Sequence, residues 1–275
     1  MNFAINYSRT TAALLAEGRI DIDYFKCPDW PDMIAEALKV RPVAVHFTLQ
    51  AGTGRLHTTD WTFVERLMQL THTPYVNLHL CPEVGDFTNG SNSIPANTLD
   101  PTHISLVVER LLADVWAVVN QFGAERVIAE NVPYWGPGGN VLRPATEPVV
   151  IRQILEETGC GLLLDIPHAR IAAHYQERDP WEYLAAIPVE RLREMHFTGI
   201  HWCAGKPQDH LPMTEDDWPW LDQTLAKVMD GVWGKPWLLA YEYGGEGGWF
   251  EDHTDPASIA EQVPQFMLRM ASLFS

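Results

Sequence analysis

Short apolar or β-branched runs recur along the chain, each followed by a longer amphipathic stretch, the alternation that predicts parallel strands connected by helices. Eight such runs are present: Phe3 to Tyr7, Ile22 to Cys27, Pro42 to Leu49, Pro74 to Leu80, Arg126 to Val132, Gly161 to Ile166, Leu192 to Gly199 and Trp237 to Tyr243. Helices are predicted over Thr10 to Glu17, Pro31 to Leu38, Asp60 to Leu70, Pro101 to Phe122, Glu147 to Thr158, Pro180 to Ile187, Thr214 to Met229 and Pro256 to Phe274. Asp100-Pro101, Asp179-Pro180 and Asp255-Pro256 each place a capping acid before a proline suited to the first helical turn. Gly123 and Gly159 stand where helices should stop. The longest irregular stretches, Cys81 to Asp100 and Pro133 to Pro148, both follow predicted strands and are candidate rims of a site.

Eight strand-helix units in 275 residues predict an α/β fold, a single (β/α)8 TIM barrel spanning residues 1–275. An open doubly wound sheet would more often carry an early Gly-rich phosphate loop, and neither GxGxxG nor GxxxxGK[ST] occurs. At 46% hydrophobic and 20% charged, the chain can bury a large core, which excludes disorder. Nineteen basic against thirty-six acidic residues leave a formal charge of −17, which argues against nucleic acid as a partner. Cys27, Cys81, Cys160 and Cys203 form no CxxC pair, so reduced thiols and a cytoplasmic location are expected. No run of about 18 apolar residues occurs and no leader is evident at the start, so no membrane association is expected.

The ionisable residues change this picture most, because chemistry in such barrels is built at the carboxyl ends of strands. His46, His79, Glu130, Asp165, His168, His196 and Glu242 each interrupt an apolar run or directly follow one. A single strand histidine is commonly a hydrogen-bonded core residue, but uncompensated buried charge on six strands would exceed what a marginally stable domain tolerates. Either a mutually paired polar network or bound cations must compensate these groups, and imidazole with carboxylate is a natural cation shell. The set is too nitrogen-rich for calcium and has no thiolate for closed structural zinc, leaving iron, manganese or zinc. Seven groups exceed what one ion with an open position takes, so two or more metal ions are expected. Asp209 and His210, adjacent in a predicted loop after the seventh strand, are placed to complete the site or carry protons. Pro167 is expected to end the strand and let His168 turn back over the mouth. His201 divides evenly between site and rim, and Asp216 and Asp217 read as first-turn acids of the next helix. His57, His72, His103, His174 and His253 read as surface residues, and Trp218-Pro-Trp220 and Trp233 to Trp237 as packing.

The order His, His, Glu-Asn, Asp-x-x-His, His, Asp-His and Glu along eight βα units resembles the xylose-isomerase-like TIM barrels. Within that superfamily the chain is most similar to the multinuclear non-heme iron-dependent oxidative enzymes. Three segments carry the resemblance: Asn77 to Leu80, Leu163 to Ala173 with the following Asp-Pro-Trp-Glu-Tyr-Leu, and Ile187 to Gly199. Asp165-x-x-His168 stands where that family usually reads Asp-x-x-Asn, and Gln208-Asp209-His210 replaces its Asp-x-His-Asp. The resemblance implies iron, with His46, His79, Glu130, Asp165, His168, His196, Asp209 and Glu242 as metal ligands and Glu130, Glu242 and His210 as catalytic groups. It implies oxygen-dependent modification of a small-molecule or peptide substrate, the peptide delivered in some members by a partner protein. The alternative is a divalent-metal sugar isomerase or epimerase using Glu130 and Glu242 as proton acceptor and donor. A phosphodiester hydrolase and a non-catalytic binding barrel rank lower.

Overall fold

The computed structural model describes residues 1–87 and 93–274, so residues 88–92 of the irregular Cys81 to Asp100 stretch lie outside the described residues. All eight predicted runs contain strands. They are β1 (Asn2–Asn6), β2 (Tyr24–Pro28), β3 (Val43–His46), β4 (Gln50–Ala51), β5 (Val76–Leu80), β6 (Val127–Glu130), β7 (Gly161–Asp165), β8 (Leu192–Phe197), β9 (Gly199–Cys203), β10 (Lys206–Leu211) and β11 (Leu238–Tyr241). The eight predicted helices are present within a few residues, as in Pro101–Phe122 and Trp218–Met229. Two helices were not foreseen, Ile166–Tyr175 and Gly248–Asp252. The first follows β7 without a loop, because the Asp165 side chain caps it by accepting the His168 N–H at 2.7 Å, with Pro167 in its first turn. Pro167 therefore begins a helix where a turn-back was expected, and that helix carries His168.

The chain divides into two compact units. The first comprises Met1–His46, Leu67–Thr73 and Arg193–Ser275. Its parallel strands run in the order β3-β2-β1-β11-β8, and β9 and β10 form an antiparallel hairpin. Register aligns Ala4 with Ala240 and Tyr24, Ala240 with His196, and Lys26 with Ala44. Since side chains alternate with period two, one face carries Phe3, Ile5, Phe25, Val43, Val45, Phe197, Leu239 and Tyr241. Phe266 of the final helix, Pro256–Phe274, stacks on this face, 5.5 Å from Phe3 and 4.7 Å from Tyr241 between ring centroids. The opposite face is paved by Ala4, Ala44, Leu238 and Ala240, with Tyr24 and Trp237 packed against them. Trp218 and Trp233 behave as packing residues: Trp218 lies against Phe266 and under the Arg269 guanidinium, and Trp233 is buried.

The second unit comprises Phe47–Arg66 and Pro74–Leu192, with strand order β7-β6-β5-β4. His79 of β5 registers with Glu130 of β6, which registers with Leu163 of β7. Two asparagine side chains extend the ladders here. Asn77 pairs through both amide atoms with the backbone of Phe47, at 2.7 and 3.1 Å. Asn131 does the same for Asp165, accepting its N–H and donating to its carbonyl, both at 2.9 Å. Among the described residues no helix is long and apolar enough to cross a membrane.

The β9–β10 hairpin allows no side chain at Gly199, where a Cβ would lie 1.8 Å from the Pro212 carbonyl oxygen. The obstacle is backbone, so Gly199→Ala is expected to lose about 3 kcal/mol of stability by overpacking, read as a lowered midpoint in urea denaturation.

Candidate metal centres

In the first unit the alanine face leads, toward the strand carboxyl ends, to polar groups. His46 closes β3, His196 lies near the end of β8, and Glu242 follows β11 directly. One ligand atom from each lies within 4.8 Å of the others. Glu242 Oε1 is 3.2 Å from His196 Nδ1 and 4.0 Å from His46 Nδ1. His210 Nδ1 approaches Glu242 Oε2 at 3.9 Å. Asp209 and His210 lie on strand β10, not in the expected loop, because the chain after β8 folds back as a hairpin. The ladder shifts register between Gln208 and Leu211, and His210 takes φ +54°, a left-handed conformation costing an imidazole residue about 1–2 kcal/mol. Its N–H is held by Thr198 Oγ1 at 3.1 Å, and Asp209 is buried.

The second unit gathers its own set. His79 Nε2 lies 3.2 Å from Glu130 Oε2, and His168 Nδ1 lies 3.7 Å from Glu130 Oε1 and 3.6 Å from Asp165 Oδ1. Glu130 and Asp165 are almost fully buried, at 1% and 2% exposure, so their charges require compensation.

A shared device orients the rings. His79 Nδ1 faces the Leu49 carbonyl at 3.2 Å, His168 Nδ1 the Asn131 carbonyl at 3.0 Å, and His210 Nδ1 the Glu242 carbonyl at 3.2 Å. A carbonyl oxygen only accepts, so each Nδ1 carries the proton and each Nε2 keeps its lone pair for a ligand. Backbone geometry thus fixes the tautomer that metal binding needs. His201 is spent differently: its Nε2 donates to the Pro212 carbonyl at 2.8 Å inside the hairpin. Asp217 stands at the start of the helix Trp218–Met229, as expected, and is fully buried, accepting from the Thr214 N–H and hydroxyl at 2.9 and 2.7 Å. His57, His72, His174 and His253 are exposed and His103 half-buried.

Sequence reasoning missed Lys26 and Glu194. Lys26 on β2, 3% exposed, forms an ion pair with Glu194 of β8, and its Nζ lies 2.6 Å from His196 Nε2 and 3.8 Å from Glu242 Oε1. Burial raises the Glu194 carboxyl, but the Lys26 ammonium and the His196 contact outweigh it and hold the group well below the ordinary carboxylate range. The signal was present as Glu194-x-His196, two positions on one strand face. Asn131 was likewise visible only as the neighbour of Glu130.

Solved structures with the same architecture cover the whole chain. A D-tagatose 3-epimerase-like protein matches at TM-score 0.59 and 14% identity, covering 100% of both chains. D-psicose 3-epimerase of Clostridium cellulolyticum H10 matches at TM-score 0.63 and 9% identity, again covering 100% of both. A family 2 AP endonuclease of Brucella melitensis matches at TM-score 0.58 and 14% identity, over 96% of this chain and 99% of that one. The fold is therefore an α/β TIM barrel of the xylose-isomerase-like type. Within it, residues 25–240 match the family described as RiPP precursor modification enzyme MbnB/TglH/ChrH, and the chain belongs to that family. A UPF0276 protein of Acaryochloris marina is 33% identical over 176 residues, covering 64% of this chain and 55% of that protein. One of Caulobacter vibrioides is 43% identical over 177 residues, covering 62% and 59%. The matches thus span little more than half the length of these relatives.

The four cysteine thiols differ in burial. Burial pushes Cys27 and Cys160 up, and pushes Cys81 up to about 12 with the help of Glu83, Asp86 and Glu130. The nucleophile is the thiolate, so protonated buried thiols react slowly. With iodoacetamide at pH 8, exposed Cys203 is expected to be alkylated first, Cys81 to lag, and Cys27 and Cys160 to react only on unfolding, as read by peptide mass spectrometry.

Proposed function

We propose that the protein is a metal-dependent enzyme that holds two or more ions, iron foremost, and carries out oxygen-dependent modification of a peptide. The carrying observation is the pairing of family membership with two sets of imidazole and carboxylate donors at strand carboxyl ends. In this reading His46, His196 and Glu242 hold one ion, His79, Glu130, Asp165 and His168 hold another, and Asp209 is a ligand available within the first unit. The donors fit the group: nitrogen and carboxylate oxygen without thiolate suit iron, manganese or zinc. Bound iron would supply a Lewis-acidic, redox-active position for substrate and dioxygen. The chain's own residues do the rest. Glu130 and Glu242 take up or return protons, and His210, its Nδ1–H committed to the Glu242 carbonyl, offers Nε2 as a proton carrier.

A cavity in the first unit supports a peptide over a phosphate-bearing substrate. A cavity of about 630 Å³ opens beyond the carboxyl ends of β1, β2 and β11, lined by Tyr7, Trp30, Asp32, Glu36, Glu246 and Glu251 among others. Four carboxylates outnumber the one guanidinium, Arg9, which pairs with Glu246 at 3.9 Å, so the lining disfavours phosphate, whereas Tyr7 and Trp30 offer aromatic surface to side chains. The family assignment favours peptide modification over sugar epimerisation, since likeness to the epimerases is in fold alone.

Elemental analysis after anaerobic iron loading is expected to find two or more ions per chain, falling on Glu130→Ala and on Glu242→Ala. Oxygen electrode traces are expected to show uptake with cysteine-containing peptides. A protein that retains only zinc and never consumes oxygen removes the oxidative reading, and solvent deuterium entering a ketose would establish the epimerase in its place.

A further inference from the structure

His196 departs from the pattern of the other ring-bonded histidines. His79, His168 and His210 each give Nδ1–H to a backbone carbonyl, but His196 turns Nδ1 toward Glu242 and Nε2 toward a carboxylate, Glu194 Oε1, at 3.0 Å. Glu194 is itself fixed on both sides. Lys26 holds Oε1, and Trp237 donates its indole N–H to Oε2 at 3.3 Å. Strand pairing places the three partners: Glu194 and His196 share one face of β8, Lys26 registers with Ala44 on β3, and Trp237 immediately precedes β11. The alanines of this face leave the volume that the Lys26 side chain crosses to reach β8.

A carboxylate cannot donate, so the bond to Glu194 requires the proton on Nε2; the Nδ1 lone pair then faces the Glu242 carboxylate at 3.2 Å, a contact that is favourable only with a cation shared between the two. The same Nε2 is within 2.6 Å of the Lys26 ammonium, which has no lone pair and can only donate. The two contacts call for opposite ring tautomers, and only the Glu194 bond leaves Nδ1 able to ligate.

We propose that Glu194, clamped by Lys26 and Trp237, is a positioning residue that selects the Nε2–H form of His196, so that Nδ1 is the atom given to a cation shared with His46 and Glu242. The inference rests on the metal-binding reading above and adds which nitrogen binds and what decides it. A pair that only fills space would leave the identity of the ligating nitrogen and the metal affinity untouched.

The decisive measurement uses the parent protein loaded with zinc and labelled with ¹⁵N-histidine, read by long-range ¹H–¹⁵N correlation. The expected result is a protonated Nε2 and a metal-shifted Nδ1 for His196. Coordination through Nε2 overturns the inference while leaving the metal reading intact, whereas a parent that binds no zinc overturns both. Affinity is then compared by chelator competition in Glu194→Gln and in the double substitution Lys26→Met with Glu194→Leu. Replacing a whole buried pair by apolar groups commonly preserves the fold, so the double variant separates stability from ligand positioning. A loss of roughly 10- to 100-fold in zinc affinity is expected in both, with thermal unfolding of the metal-free double variant near that of the parent. Parent-like affinity in either variant overturns the proposal, as does an unchanged visible spectrum on cobalt(II) substitution.

Discussion

The structure depends on one constraint: charged groups placed on buried strand faces must meet a partner of opposite character within a few ångströms. Glu130, Asp165, His196, Glu194, Lys26 and Glu242 are all less than a tenth exposed. Removing such charges from water costs several kcal/mol each, against a net stability of about 5–15 kcal/mol for a whole domain. Lys26 and Glu194 answer this within the chain. His46 and His196 beside Glu242, and His79 beside Glu130, bring donor atoms close enough for a cation to share.

Parallel-strand register is what makes that geometry repeat. Because successive side chains point to opposite faces, Ala44 and His46, Glu194 and His196, and Ala240 and Glu242 form two-step ladders rising toward the strand carboxyl ends. The small side chains of Ala4, Ala44 and Ala240 on this face leave room for lysine to cross toward Glu194. Helix contacts on the other face, such as Phe266 on Phe3 and Tyr241, hold the ladders in place without entering the polar zone.

Backbone polar groups then aim the rings. Three histidines are oriented by carbonyl oxygens that their own folds supply, and the Asn77 and Asn131 side chains mimic strand pairing to fix the segments holding two of those carbonyls or their neighbours. This arrangement holds the three rings in fixed orientations within the candidate site, the kind of preorganisation a functional site requires. The left-handed backbone at His210 belongs to the same economy of local strain at a site.

The alternation of apolar runs and amphipathic stretches determined by itself that this chain forms parallel βα units, and polar interruptions of those runs marked His46, His79, Glu130, Asp165, His196 and Glu242. Those signals are local, carried by period-two and period-3.6 patterns. Tertiary structure alone decided that Asp209 and His210 ride a hairpin, that Asp165 caps the helix bearing His168, and that Lys26 reaches Glu194 across 168 residues of sequence. Lysine in a strand carries no pattern of its own; only strand order and register reveal that its charge is buried and what it must pair with.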